Sequence, residues 1–144
     1  MDLERIYNNV KTLDVVDLAV DIFESLDEFI ADLNRSQLAD KGIRPDGSNI
    51  TPEYSTVTEL LKRPKSGTAG ITSHVTLYDS GSFHKSIVAS IYPDEIVMDA
   101  TDSKTNDLLD KYGEVLGLTE ENKQKLKDKF LPIFEKRFYE SIFG

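Results

Sequence analysis

Residues 14–40 carry apolar side chains at intervals of three and four positions, and this pattern constrains the fold more than any other feature of the sequence. Such spacing puts the apolar side chains on one face of an α-helix, which has to pack against a core. Asp14 is a suitable N-cap, and Gly42 is suited to end the helix in the left-handed conformation. We therefore predict a long N-terminal helix over residues 14–40. Its inward face is expected to contain Val15, Leu18, Ala19, Ile22, Leu26, Phe29, Ile30 and Leu33.

Two runs rich in β-branched and aromatic residues follow in the second half of the chain. They span residues 83–92 and 95–100, and Pro93-Asp94 lies between them as a tight connection. Such runs predict an antiparallel pair of strands, to which residues 75–78 could add a third. Because a pair of strands is only marginally stable alone, it has to pack on the helices or on another chain.

The C-terminal part of the sequence predicts two helices, a short one over residues 103–113 and a long one that begins after Thr119. Ser103 and Thr119 are the expected N-caps, and acidic residues follow Thr119 in the first turn. Pro132 lies inside the second helix, which predicts a kink or a break near residues 130–131. The inward face of this helix is expected to contain Leu126, Phe130, Ile133, Phe134, Arg137 and Phe138.

The chain of 144 residues is long enough for one domain with a hydrophobic core. We predict a single α+β domain over residues 1–144, with a long N-terminal helix, a small antiparallel β-sheet and a C-terminal helix. Proline, glycine and small polar residues mark flexible loops near residues 42–55 and 63–73. Cysteine is absent, which excludes thiolate chemistry. No apolar run approaches the ~20 residues of a membrane span, so we expect no membrane partner.

The net charge of −9 is distributed unevenly along the chain. Residues 1–40 contain 10 acidic and 3 basic residues (−7), residues 41–92 contain 4 and 6 (+2), and residues 93–144 contain 12 and 8 (−4). Most of such a surface would repel phosphate groups, so we expect no direct sequence-specific binding of nucleic acid. The basic middle segment is suited to an acidic partner or to the acidic ends of another copy of the chain.

Residues 75–87 gather the residue types of a hydrolase around one glycine. His84 with Asp79 or Ser82 would form the catalytic set, but the run DSGS lacks the flanking glycines of the GxSxG turn. His74 and His84 also lack the HxH or HxxxH spacing of a metal site. We therefore expect no catalytic, cofactor-binding or metal-binding residues, and we interpret this segment as a turn that directs a strand.

Three spaced patterns occupy the middle of the chain. They read Gly-Ile-x-Pro-Asp-Gly from residue 42, Thr-Pro-x-Tyr-Ser-x-x-Thr-x-x-x-Lys from residue 51, and Val-Thr-Leu-x-x-Ser-Gly-x-Phe-x-x-Ser-Ile from residue 75. The segment YGEVLGLTEEN follows at residues 112–122. Over residues 37–126 this order of elements resembles the virion morphogenesis proteins of tailed phages, of the head-completion, neck or tail-completion type.

The resemblance implies an α+β subunit of a ring at the phage head–tail junction, without catalysis. It implies partners among other copies of the chain, the portal or connector, and tail proteins, and a location in the virion after synthesis in the host cytoplasm. Two positions depart from the pattern, since no tryptophan follows Asp46-Gly47 and Phe83 replaces the usual leucine. The residues that carry the resemblance, called the assembly motif below, are Pro45, Asp46, Gly47, Pro52, Tyr54, Ser55, Thr58, Lys62, Leu77, Ser80, Gly81, Phe83, Ser86 and Ile87.

Other functions are compatible with the same sequence. A small phage hydrolase that uses His84 would lose its activity on His84→Ala while it keeps its fold and its assembly. An acidic inhibitor that mimics nucleic acid would bind a DNA-handling protein in a salt-sensitive manner, although the lysine-rich C-terminal helix argues against it. An intracellular binding module is a further alternative.

Overall fold

The computed structural model describes residues 2–144, and this part of the chain contains seven α-helices and one antiparallel pair of strands. The predicted α+β class is confirmed. A turn of π-helix over Gln37–Lys41 extends the third helix, and a 3-10 turn spans Gly67–Gly70. The elements in chain order are α1 (Leu3–Thr12), α2 (Val15–Ser25), α3 (Asp27–Ser36), α4 (Thr56–Lys62), α5 (Ser82–Ser86), β1 (Ile87–Ile91), β2 (Ile96–Ala100), α6 (Thr105–Tyr112) and α7 (Glu120–Phe143).

The long N-terminal helix has the predicted ends, but it is interrupted at Leu26. Asp14 caps α2 by accepting the N–H of Asp17 at 3.0 Å, and Gly42 ends the helical run with φ +60°. At the interruption, Ser25 donates its hydroxyl to the Ile22 carbonyl, and such local side-chain bonds compete with helix continuation. Leu26 itself stays buried. Most of the predicted inward face is therefore preserved, whereas Val15 is exposed.

The sheet consists of β1 and β2, with Ile87 opposite Ala100 and Ile91 opposite Ile96. The predicted tight connection is confirmed, because the N–H of Tyr92 donates to the Glu95 carbonyl at 2.8 Å. The predicted first strand is wrong over residues 83–86, which lie in α5.

Residues 75–78 do not form the third strand that the sequence suggested, within the part of the chain that is described. Leu77 has a φ of +58°, which an extended strand cannot contain. This conformation turns the chain between Val75 and the start of α5.

The two C-terminal helices agree with the predictions except at three points. Lys104, not Ser103, occupies the N-cap of α6. Thr119 caps α7 as predicted, since its hydroxyl accepts the N–H of Asn122 at 3.2 Å. The break at Pro132 is wrong, because α7 runs from Glu120 to Phe143, and Phe138, expected inside, is exposed.

Packing on both sides of Pro132 explains why α7 continues past it. Phe130 stacks on Phe23 of α2 with ring centroids 4.2 Å apart, and Phe134 stacks on Phe130 at 5.5 Å. A proline removes one helical hydrogen bond, which costs ~3 kcal/mol in an isolated helix. Burial of the aromatic side chains of α7 against α2 offsets that cost.

The core has two parts. The helical cluster joins the inward faces of α2, α3 and α7, and the loop cluster joins the segments around α5, β1 and α6. Fully burying one such side chain contributes ~1.5–3 kcal/mol. The buried members of the helical cluster are Leu18, Ile22, Leu26, Ile30, Leu33 and Leu126. Those of the loop cluster are Ala31, Leu38, Ile50, Val75, Leu77, Phe83, Ile87, Ala100, Tyr112 and Val115.

None of the helices described within residues 2–144 combines the length and the apolar character needed to cross a membrane.

Candidate functional site

Arg44 holds the loop at residues 42–55 against α6. Its guanidinium donates to the carbonyl of Tyr112 at 2.9 Å, and to the carbonyls of Asn49 and Thr51 at 2.7 and 3.1 Å. Arg44 is the unspecified third position of the Gly-Ile-x-Pro-Asp-Gly pattern, so sequence reasoning missed it. An arginine inside a loop rich in glycine and proline is the signal that could have found it, because its five donors can satisfy several free carbonyls.

The three motif residues after Arg44 form a tight turn. The Asp46 carboxylate accepts the N–H and the hydroxyl of Ser48 at 2.9 and 2.6 Å, and these hydrogen bonds hold the pKa of Asp46 below its ordinary value. Pro45 packs over Gly117, where an added Cβ would lie 3.0 Å from Pro45 Cγ. The loop thereby contacts the later segment YGEVLGLTEEN.

The second and third sequence patterns are joined by Tyr54 and Lys62. The Tyr54 hydroxyl accepts the N–H of Thr76 at 2.9 Å. Lys62 donates to the Tyr78 carbonyl at 2.7 Å, and its ammonium lies 5.0 Å from the centre of the Tyr54 ring. Two motif residues of the second pattern therefore form hydrogen bonds with the backbone of the third pattern.

The remaining polar motif residues of these patterns make local contacts. Ser55 is the N-cap of α4 and accepts the N–H of Thr58 at 3.2 Å. Ser86 donates its hydroxyl to the Phe83 carbonyl at 2.8 Å, and Ser80 exchanges a hydrogen bond with Ser82. Pro52 follows a cis peptide bond. The apolar motif residues Leu77, Phe83 and Ile87 are buried in the loop cluster.

The three side chains proposed for a hydrolase each interact with a different partner. The ring of His84 is buried, and its Nε2 contacts the Thr76 carbonyl at 2.7 Å. Asp79 forms an ion pair with Lys65, and Ser82 bonds to Ser80. The fold therefore does not assemble Asp79, Ser82 and His84 into one hydrogen-bonded set.

Burial of His84 predicts a pH dependence of stability. Desolvation lowers the pKa of His84, outweighing the opposite effect of the hydrogen bond to Thr76. The unfolded chain titrates near an ordinary pKa of ~6.5, so below that pH it binds a proton that the folded chain does not. We expect the free energy of unfolding to fall between pH 7 and pH 5, and to fall less in His84→Gln. Urea unfolding at both pH values measures this, and an equal fall in both proteins would contradict it.

Gly81 turns the chain with φ +89° just before α5. A side chain there is strained by ~1–2 kcal/mol, and an added Cβ would lie 2.6 Å from the Tyr78 hydroxyl. We expect Gly81→Val to lower the free energy of unfolding by ~3 kcal/mol, measured by urea unfolding. Gly47→Val is the matched control, because Gly47 has φ +87° and open space around its Cβ position. Equal losses in the two variants would mean that Tyr78 does not restrict position 81.

A cavity of about 320 Å³ opens among the assembly-motif residues and contains three lysines. We call it the lysine cavity; its lysines are Lys62, Lys65 and Lys104. Asp79 is the one acidic residue that lines it among residues 2–144, and its pKa is lowered, first by the hydrogen bond from Lys65. The motif residues that line the cavity are Tyr54, Thr58, Lys62, Leu77, Ser80, Gly81 and Phe83.

A buried network of amides was also missed from the sequence. Asn34 donates to the Val115 carbonyl and accepts the N–H of Gly117 at 2.8 Å. Gln37 accepts from the N–H of Thr119 and from Asn122. The signal was present, because helical spacing from Ile30 and Leu33 places positions 34 and 37 on the inward face.

Comparisons with protein-family models, with curated proteins and with solved structures gave no match to this chain. Within residues 2–144 there is also no group of three or more histidine and acidic side chains that could hold a metal ion.

Proposed function

We propose that this chain is a structural subunit of a ring at the phage head–tail junction, a neck or tail-completion protein that acts in particle assembly. The resemblance over residues 37–126 supports this role. The use of the motif side chains agrees with it, since Tyr54 and Lys62 hold backbone segments together. In this role the protein is not an enzyme, and its motif maintains the shape of a subunit surface.

The observation that carries the proposal is the pair of apolar helix faces that one subunit leaves exposed. On α1, Leu3, Tyr7 and Val10 are 72%, 65% and 55% exposed, and their spacing of four and three puts them on one face. Elsewhere on α1, Asn9 donates to the Ile142 carbonyl, which fixes α1 on the end of α7. Exposed apolar groups of this kind mark sites of protein association.

The second exposed face belongs to α4. Val57, Leu60 and Leu61 are 67%, 59% and 66% exposed, again at helical spacing. Leu61 also lines the lysine cavity, so this apolar face continues into a basic depression.

The two faces lie toward different ends of the molecule. Helix α7 has 24 residues and is therefore ~36 Å long. Its last turns carry α1, whereas Glu121 in its first turn pairs with Lys41, just before the loop that leads to α4. Two different faces at different ends suit head-to-tail contacts between copies, and such contacts form a ring when the rotation from copy to copy closes.

The proposed partners are other copies of the chain in the ring, the portal or connector on one side and tail proteins on the other. The proposed location is the virion, after synthesis in the host cytoplasm. The basic middle segment and the acidic ends of the chain suit contacts between neighbouring copies, because opposite charges favour the correct register.

Quantitative mass spectrometry of gradient-purified particles tests the proposal. We expect the chain in particles at a fixed, low copy number on the order of six to twelve, by analogy with ring symmetry. An abundant cytoplasmic host protein, quantified in the same fractions, controls for carry-over. Absence of the chain from particles while it is abundant in the lysate would overturn the proposal.

A further inference from the structure

The lysine cavity contains a buried cation that no carboxylate neutralises. Lys62 is 5% exposed, and its single hydrogen bond goes to the Tyr78 carbonyl. Among residues 2–144, no acidic side chain lies within ion-pair distance of its ammonium. An ammonium has three donors, so two remain for another acceptor. Buried charges are normally paired, and an incoming carboxylate would supply the missing partner.

The other two lysines make the cavity as a whole positive. Lys65 pairs with Asp79, the one acid in the described lining, while Lys104 forms no ion pair among the described residues. The three lysines and one aspartate leave a net charge of +2 in a chain whose total is −9. The cavity is therefore a basic region on an acidic molecule, and it attracts acidic segments.

The wall of the cavity is largely apolar. Leu61, Leu77, Phe83, Leu108 and Tyr112 line it, and Leu61 connects it to the exposed face of α4. A suitable occupant therefore presents apolar side chains next to carboxylates. A free inorganic anion would leave the apolar part of this surface in contact with water.

The chain itself exposes such a segment at the start of α2. The four residues Asp14-Val15-Val16-Asp17 are all exposed, the two valines by 47% and 49%. Asp17 has no ion-pair partner within the described residues. Residues 14–28 contain six acidic and no basic residues, so the surface that follows is acidic as well.

We propose that residues 14–17 of one copy dock on the lysine cavity and the α4 face of the next copy. This inference rests on the proposed ring function and names its subunit contact. The valines cover Leu61 and its neighbours, and the aspartates approach Lys62 and Lys104. The two surfaces belong to different ends of the subunit, since Asp21 of α2 pairs with Arg137 near the end of α7. Each copy therefore contacts one neighbour through each surface, which is the head-to-tail arrangement that the proposed ring needs.

Cross-linking of single-cysteine variants tests the contact, because the chain has no native cysteine. Full-length Val16→Cys and Leu61→Cys are mixed and treated with a short bismaleimide, both as purified proteins and in assembled particles. Val97→Cys replaces Leu61→Cys in the control mixture, since Val97 is exposed on β2. We expect the 16–61 adduct to exceed the 16–97 adduct at least ~5-fold.

Charge reversal in the same single-cysteine variants adds a second test of the contact. Asp17→Lys in the first partner or Lys104→Glu in the second is expected to reduce the adduct ~5-fold, and the combination of the two to restore it. Circular dichroism of each variant verifies that it is folded. Failure of the combination to restore the adduct would overturn the inference.

The outcomes separate this inference from the proposed function. If particles contain the chain at ring copy number but the 16–61 adduct does not exceed the control in them, the contact is wrong and the ring function stands. If the chain is absent from particles while the adduct forms in the purified protein, the ring function is wrong and the contact between copies stands. Absence of both would overturn both.

Discussion

Replacing Gly42 with alanine is expected to lower the free energy of unfolding by ~3 kcal/mol or more, because two costs add at one buried position. Gly42 has φ +60°, where a side chain costs ~1–2 kcal/mol. An added Cβ would also lie 2.7 Å from the Val75 carbonyl oxygen and 2.8 Å from Cδ2 of His74. The backbone at Val75 cannot move away without disturbing the loop cluster, and His74 is held by a contact to the Ala39 carbonyl. Urea unfolding followed by circular dichroism measures the loss.

Gly67→Ala is the matched control for this prediction. Gly67 has φ +62°, almost the same backbone conformation, and nothing lies within 4 Å of its Cβ position. The control therefore contains the conformational cost alone, ~1–2 kcal/mol, and the difference between the two variants measures crowding at Gly42. Similar losses in the two variants would show that His74 and Val75 yield to the added methyl group.

Replacing Asn34 with leucine is expected to lower the free energy of unfolding by ~2–4 kcal/mol, although leucine has a similar size. Asn34 is fully buried, and its amide bonds both the Val115 carbonyl and the Gly117 N–H. Leucine leaves both backbone groups buried without a partner, and each such group costs ~1–3 kcal/mol. We also expect faster hydrogen exchange at the Gly117 amide, measured by NMR or mass spectrometry.

Asn8→Leu provides the control for the asparagine change. Asn8 lies on the exposed side of α1, so the same substitution there should change stability by no more than ~0.5 kcal/mol. If Asn34→Leu were as mild as Asn8→Leu, the segment from Val115 to Gly117 would not depend on the amide of Asn34.

The assembly motif shows how much of a site can be predicted from sequence patterns. The patterns indicated which residues belong together, and the cavity does contain Tyr54, Lys62 and Gly81. They did not indicate that the Lys62 ammonium would be buried against Tyr78, 16 positions later. A lysine in a seven-residue helix after a flexible loop is solvated in most proteins. Its burial follows from packing, which no local pattern contains.

The roles of Arg44 and of the buried amides could not be predicted from the sequence for the same reason. Each is a polar residue whose partners lie far along the chain, 68 positions from Arg44 to Tyr112 and 89 from Leu33 to Asn122. The sequence did indicate that these residues lie on helix faces or in loops. The identity of the backbone groups that they satisfy was not visible, because those groups come from segments whose approach depends on the whole fold.

The sequence by itself determined where most elements begin and end. Asp14 and Thr119 cap their helices as predicted, and Gly42 and Gly113 follow helix ends with positive φ. These features depend on hydrogen bonds across three or four residues and on steric limits of a single residue, so local sequence is sufficient to set them. The α+β class followed from the same local signals.

Only the tertiary structure decided three other features: the helical state of residues 82–86, the continuity of α7 through Pro132, and the interruption at Leu26. In each case the local preferences are weak or opposed, so contacts from elsewhere decide. Phe83 is buried in the loop cluster, and Phe130 stacks on Phe23 close to Pro132. Several aromatic side chains packed together contribute free energy comparable to the cost of one missing helical bond or one unfavourable residue, and their burial depends on partners that are distant in sequence.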